Sequence, residues 1–390
     1  MNLDANRRFN FLPVPTDVHF GCGSLISLPE HVRSLKARKV FVVTDPGIRS
    51  SGILDGVTTV LQQAGVDFAI YDRVTADSGS DLIAEAVEQS RDFGADIVVG
   101  VGGGSALDTA KATAALATNP GTALDYVGLN KVTLRPLPTI AIPTTAGTGS
   151  EVSLWSVFTD DTRGLKVAIG GVQLYPTIAL CDPELTTGLP SSLTASTGID
   201  ALAHAIECYT NKACQPISAA LALGAIELIG RHLRRATFNG DDREARYAML
   251  LASTMAGIAM NSTRLGLAHA LAMPLGSWDL KIPHSIAIAV TLPHVMQFNC
   301  AAAPERFADV ARALGQQVER SPVQEAAACA VSAVSSLVAA IGIPGGLSAC
   351  SLRERHVPAV VDEAMKSGNV AVNPRAAGRE DVEKILRRAM

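Results

Sequence analysis

The stretch GVGGGSALDTAK, residues 100–111, decides the fold. It ends the Val-rich run ADIVVGVGG (95–103) and opens a helical pattern. Consecutive glycines let the backbone come close to a ligand. Free N–H groups at a helix start, aided by the helix dipole, hold a diphosphate. The spacing is G-x-G-x-x-S rather than the usual dinucleotide fingerprint, and the turn follows the third strand-like run rather than the first. Lys111 lies more than a turn into the helix, which excludes a Walker loop. A turn of this kind also serves as a plain tight turn, so its surroundings decide its meaning.

Outward from this turn, short apolar runs alternate with helical stretches. KVFVVTD (39–45), VDFAIYD (66–72), LPTIAIPTT (137–145) and TIALCDP (177–183) carry Val and Ile, end in Asp, Pro or Thr, and read as strands. Between them SDLIAEAVEQSRDFG (80–94) places apolar residues at 82, 83, 86 and 87, one face of a helix. This β-then-α order predicts a Rossmann-like α/β domain over residues 1–190, with a parallel sheet covered by helices on both faces. From residue 191 the strand-like runs stop. Alanine-rich segments such as SLTASTGIDALAHAIECYTN and AMLLASTMAGIAMNS predict an all-α domain over residues 191–390. The boundary falls in the turn-rich TTGLPSS (186–192).

The chain has 390 residues, 48% of them hydrophobic, enough for a large core in two domains. A formal charge of −4 without a basic block argues against nucleic acid or an anionic membrane as partner, and leaves an anionic small substrate open. The seven cysteines are scattered and form no C-x-x-C pair, which reads as thiols in a reducing compartment. The opening MNLDANRRFNFLPVP has no apolar h-region, and no run of 18 apolar residues occurs. A soluble cytoplasmic protein with no membrane span is the expectation.

A second loop, PTTAGTGSEVS (143–153), follows another strand and combines Thr144, Thr145, Thr148 and Ser150 with two glycines. Such hydroxyls and amides suit phosphate or ribose, although an ordinary hydrophilic loop has the same composition. Two such loops after neighbouring strands point to a shared cleft. Asp45 ends the first strand-like run. A carboxylate there accepts ribose hydroxyls and repels a 2′-phosphate, favouring NAD over NADP; it is equally a turn aspartate before Pro46.

Asp200 and His204, in TGIDALAHAIECY, share one helical face among apolar neighbours. A divalent cation would compensate their desolvation, and so would a plain Asp–His hydrogen bond. His269 and His284 extend the set to one carboxylate and three imidazoles, a donor set for Fe²⁺ or Zn²⁺. Pro283 predicts an extended path that presents His284 from a loop.

Taken together, FLPVPTDVHFGCGSL, GGGSALDTAK, PTTAGTGSEV, TGIDALAHAIE and GLAHALAMPLG…PHSIAIAVTLPH resemble the iron-dependent (group III) alcohol dehydrogenases over nearly the whole chain. The resemblance implies a dehydroquinate synthase-like α/β nucleotide domain, an all-α domain, and a cleft between them. It implies a metal, iron or alternatively zinc, held by Asp200, His204, His269 and His284, with Asp200 and His269 counted as catalytic. It implies NAD contacts from Asp45, Gly102, Gly103, Gly104, Ser105, Asp108, Thr144, Thr145, Thr148 and Lys166. It further implies an alcohol or aldehyde substrate and a homo-oligomer, a homodimer at its simplest.

The chain departs from the family in four ways. Met273 stands where relatives carry a histidine beside the nicotinamide, and a thioether carries no proton; methionine also simply fills an apolar wall. Trp155 replaces an asparagine near the pocket, and either narrows it or packs on the sheet. The spacing between His269 and His284 is one residue longer, which alters the loop SWDLKIP (277–283). Arg264 replaces a small residue; if it and Lys281 face the cleft, the substrate is anionic, and otherwise both are surface charges. A dehydroquinate synthase-like lyase would need several basic residues near the motifs, and few are there. A nucleotide-binding paralogue without catalysis would not need the four ligands.

Overall fold

The structure, a computed structural model, describes residues 8–277 and 279–390. Residues 1–7 of the opening segment and Trp278 of the 277–283 loop lie outside the described residues.

Among the described residues the first half builds nine strands: β1 (Asp17–Phe20), β2 (Lys39–Val43), β3 (Asp67–Tyr71), β4 (Ile97–Gly102), β5 (Gly128–Leu129), β6 (Thr139–Pro143), β7 (Trp155–Asp160), β8 (Leu165–Gly170) and β9 (Ile178–Cys181). Between them run α1 (Leu28–Ser34), α2 (Pro46–Ser50), α3 (Ile53–Gln63), α4 (Ser80–Phe93) and α5 (Gly104–Thr118). Six strands form one parallel sheet in the order β1-β9-β6-β4-β2-β3. Strand β2 shows why it lies inside. Val40 and Val42 point into the layer of α1 and α3, Phe41 and Val43 into that of α4 and α5, and all four are buried. Each such burial is worth roughly 1.5–3 kcal/mol, so the strand needs cover on both faces. Helix α4 stops where Gly94 turns left-handed at φ 72°, with Gly94 N–H donating to the Arg91 carbonyl and Ala95 N–H to that of Ser90.

From β2 the chain passes to β3 at the sheet edge, then returns to β4 on the other side of β2. The carboxyl ends of β2 and β4 therefore flank the switch point, where open α/β sheets bind ligands. Asp45 follows β2 there, and Gly103 and Gly104 follow β4. Because β1 precedes the runs recognised in the sequence, the glycine turn follows the fourth strand rather than the third.

The parallel sheet is not the whole of the strand structure. β7 and β8 pair antiparallel, with Trp155 opposite Gly170, and β5 joins β8 in parallel as a three-stranded sheet. The hairpin turns at Asp160–Gly164. There the Asp160 carboxylate accepts the Thr162 N–H at 2.9 Å and Gly164 is left-handed.

From Ser191 onward the described residues form helices: α6 (Ser191–Thr210), α7 (Pro216–Phe238), α8 (Arg243–Thr263), α9 (Leu267–Leu275), α10 (His284–Asn299), α11 (Pro304–Ala313), α12 (Val323–Ala340), α13 (Val357–Ala364), α14 (Asn369–Val372) and α15 (Arg379–Arg388). Helices α6, α7 and α8 pack against one another around alanines and leucines that are wholly buried. Two stretches, His284–Ala302 and Val323–Ala340, are long and apolar enough to cross a membrane by length and composition alone. In the fold the first of them packs against α6, α9, α12 and α15, a protein environment that accounts for its apolar composition.

Candidate active site

Helix α6 presents Asp200, His204 and Glu207 at steps of four and three, one face of a helix. All three are buried. His269 enters from the first turn of α9, and His284 is the first residue of α10. The extended conformation foreseen for a loop is confined to Pro283, at φ −54° and ψ 134°; its carbonyl accepts the Ala287 N–H and starts the helix, so His284 is held on a helix end rather than on a loop.

Three imidazoles converge on one oxygen. Asp200 Oδ1 lies 3.5 Å from His269 Nε2, 4.0 Å from His204 Nε2 and 4.0 Å from His284 Nε2. Ligands about 2.0–2.2 Å from a common cation stand roughly 3–3.5 Å apart, so these donors are within a small adjustment of that geometry. Asp200, His269 and His284 form a group whose ligand atoms all lie within 4.8 Å of one another. His204 falls outside that tighter group but stacks on His269 with ring centroids 4.5 Å apart. Asp200 Oδ1 and His269 Nε2 are buried and without a hydrogen-bond partner. Buried orphans of this kind carry a desolvation cost that a cation removes, and the residues fit a divalent metal.

The outer bonds set which ring nitrogen faces the cluster. His204 Nδ1–H donates to the Gly147 carbonyl at 3.2 Å, and His269 Nδ1–H to Glu207 Oε2 at 2.6 Å. Both Nε2 atoms are thereby turned inward. Burial would raise the Asp200 carboxyl, but the surrounding imidazoles hold it well below the usual carboxylate range. Burial pushes His204 and His284 down, so both are neutral donors. Burial also acts to lower His269, but Asp200 and Glu207 outweigh it and raise the group. Two carboxylates around one imidazole call for positive charge at this point.

The nucleotide side is built from two loops pressed together. A Cβ on Gly104 would lie 2.6 Å from Thr148 Cγ2, one on Gly103 3.3 Å from Thr145, and one on Gly102 2.7 Å from Ala106 and 3.1 Å from Asp45 Oδ2. Glycine is needed here for close approach. Thr144 N–H donates to the Gly102 carbonyl at 3.0 Å, while its buried hydroxyl has no partner. The unpartnered hydroxyl and the α5 amides fit a dinucleotide.

The structure does not bring every expected contact to the cradle surface. Asp45 Oδ1 accepts the N–H groups of Gly47 and Ile48 and caps α2, leaving Oδ2 toward Gly102. The Ser105 hydroxyl donates to the Ala76 carbonyl at 2.6 Å. Asp108 turns inward, accepting Ser150 Oγ–H and Val157 N–H and pairing with buried Lys111 at 2.9 Å. Lys166 pairs with Asp77, lies across Gly276 at the end of α9, and acts electrostatically on His284.

Of the departures, Trp155 packs on the sheet, its ring lying over Gly170 where a Cβ would come within 2.2 Å. Met273 is half-buried one turn beyond His269. Exposed Arg264 has φ 60°, and its guanidinium lies against Gly368. Lys281 is exposed, with φ 51°. Glu207 and Gly147 are not singled out by the sequence, and Lys111 enters there only as a residue too deep in the helix for a Walker loop. Glu207 had a visible signal, since it shares the helical face of Asp200 and His204; a backbone carbonyl such as that of Gly147 leaves none.

Comparison with known proteins places this geometry. The family described as iron-containing alcohol dehydrogenase matches residues 15–183, and the C-terminal part of the Fe-containing alcohol dehydrogenase family matches residues 194–390. The chain is 37% identical to an NAD-dependent methanol dehydrogenase of Bacillus methanolicus, over 98% of this chain and 100% of the relative. It is likewise 37% identical to a sulfoacetaldehyde reductase of Bilophila wadsworthia, over 94% of this chain and 95% of the relative. A crystal structure of 1,3-propanediol oxidoreductase superposes with a TM-score of 0.95 at 37% identity, covering 98% of this chain and all of that one. On a metal-type cluster set beside a glycine cradle, and on these full-length likenesses, the chain belongs to the iron-containing alcohol dehydrogenase family.

Proposed function

We propose that this protein is a metal-dependent, NAD(H)-linked oxidoreductase that interconverts an alcohol with an aldehyde or ketone. The observation that carries the reading is the convergence of three imidazole nitrogens on Asp200 Oδ1, with one of those imidazoles hydrogen-bonded to the nucleotide loop at Gly147. A divalent cation and a nicotinamide bound there supply Lewis acidity toward the alcohol or carbonyl oxygen and a hydride partner. Asp200, His204, His269 and His284 would hold the cation, with iron favoured by the family and zinc compatible with the donors. The amides of Gly103, Gly104 and Ser105 would bind the diphosphate, with the Thr144 hydroxyl beside them.

Lys166 is a basic side chain whose charge reaches His284, and its pairing with Asp77 compensates that charge. This supports a neutral alcohol or aldehyde over an anionic one. The two relatives at equal identity act, by their names, on methanol and on sulfoacetaldehyde. A cytoplasmic setting is supported by the seven cysteines, which form no disulfide among the described residues. A homo-oligomer is supported by β1, which among the described residues pairs with β9 alone and stands at the edge of the sheet.

The test is a panel of aldehydes with NADH on protein reconstituted separately with Fe²⁺ and with Zn²⁺. Loss of NADH absorbance with at least one metal, and none after chelation, is expected. Metal-independent turnover, or no oxidation of NADH with any carbonyl, would overturn the reading. Comparing a charged aldehyde with its neutral analogue tests the substrate class; better efficiency with the charged one would reverse it.

A further inference from the structure

We propose that Glu207 is the positioning residue of the metal centre: it fixes the tautomer and the aim of His269 and docks α9 onto α6. The proposal rests on the metal-dependent reading above. Glu207 Oε2 accepts His269 Nδ1–H at 2.6 Å and Gly266 N–H at 2.8 Å, and Oε1 accepts Ala268 N–H at 2.8 Å. Its side chain is 5% exposed, as is that of His269. A buried carboxylate is thus satisfied by two amides of the α9 N-terminus and by the imidazole of the residue that follows them. Anions are favoured at that helix end, which offsets the cost of burying the charge.

The arrangement couples placement to chemistry. Helix α6 supplies Asp200 and His204 directly, and through Glu207 it aims a ligand carried on a different helix. His269 could otherwise rotate about its side-chain bonds or present Nδ1 instead. With Nδ1–H given to Glu207, only the Nε2 lone pair remains, and it faces Asp200 Oδ1 at 3.5 Å. Gly266 leaves the room this needs, since a Cβ there would lie 2.7 Å from Glu207 Oε1. Outer carboxylates that hold a ligating histidine typically contribute about 10–100-fold in metal affinity or activity.

Glu207→Gln keeps the size of the side chain but cannot accept all three N–H groups, because its amide must put a donor against either Ala268 N–H or the His269 and Gly266 pair. Zn²⁺ affinity measured by competition with a colorimetric chelator is expected to weaken about 10–100-fold, and the Co²⁺-loaded visible spectrum to change. The KM for NADH should stay within about twofold, because the cradle is untouched. Glu207→Asp should recover part of the affinity. A variant that melts earlier yet binds Zn²⁺ and gives the wild-type Co²⁺ spectrum would reduce Glu207 to a structural role and overturn the proposal. Nitrogen-15 NMR of Zn²⁺-loaded wild type tests the same point without a variant. With eight histidines in the chain, a retained Nδ1–H on His269 is expected, and metal on Nδ1 would overturn it. If wild type binds no metal at all, the functional reading fails instead, so the two failures are distinct.

Discussion

Gly149 and Gly257 meet backbone to backbone. A Cβ built on Gly149 would lie 2.6 Å from the Gly257 Cα, and one on Gly257 would lie 2.8 Å from the Gly149 Cα. The nucleotide loop therefore rests directly on α8. Asn261 seals the contact: its Nδ2 donates to the carbonyls of Val152 and Gly257, and its Oδ1 accepts Leu154 N–H. The contact fixes the loop against α8, which packs in turn on α6, the helix that carries Asp200 and His204. Gly257→Ala should cost roughly 1–3 kcal/mol through overpacking, lower the melting temperature and raise the KM for NADH. Thermal unfolding and steady-state kinetics check it; an unchanged melting temperature with an unchanged KM would show that the contact is slack.

Gly104→Ala places a methyl 2.6 Å from Thr148 Cγ2 and must part the two loops. The expected result is a KM for NADH raised about 10-fold, equivalent to about 1.4 kcal/mol, with metal content unchanged. Atomic absorption and initial rates separate the two quantities. Loss of metal in parallel would mean that the cradle and the cluster are not independent sites.

Glu151 is a buried residue of the nucleotide loop, where Thr254 Oγ1–H donates to it at 2.9 Å, and burial raises its carboxyl above the ordinary value of 4.5. A carboxyl raised on folding binds more protons in the folded than in the unfolded state. Its contribution is therefore largest below the unfolded value and declines as pH rises from there through the folded one. Glutamine does not titrate. Glu151→Gln should gain stability relative to wild type as pH is raised from 4.5 into that window, and then hold the gain. Urea unfolding at a series of pH values measures it; a difference that stays constant with pH would contradict the assignment.

Met273 lies on the same face of α9 as His269, one turn away, in the position where the family resemblance places a histidine. Met273→His should add a proton-carrying group and a new limb in the pH profile of kcat near pH about 6.5, with kcat rising at least about 10-fold above it. A pH–rate profile identical to wild type would assign Met273 to the pocket wall alone.

Much of this was legible beforehand because the signals are short in range. β2, β4, β6 and β9 announce themselves as largely apolar runs, since strands buried on both faces have few polar positions. The β7–β8 hairpin had a signal as well, the alternation in WSVFTD and LKVAIG around DDTRG. That signal is weaker than a continuous apolar run, because a short alternating segment also fits an amphipathic helix turn or a loop. β1 has four residues and only one further strand beside it, so little in its composition marks it. Trp155 was ambiguous until Gly170 proved to lie across from it.

Periodicity within ten or twenty residues was enough to specify the α/β half, the helical half, the glycine turn and the donor types of the cluster. Each depends on contacts between neighbours along one element. Long-range packing alone placed three imidazoles around Asp200, turned Glu207 toward a histidine 62 positions away, and tied His204 to a carbonyl 57 positions before it. No local rule couples residues so far apart. Their meeting follows from how α6, α9 and α10 share one core, and from which backbones approach closely enough to touch.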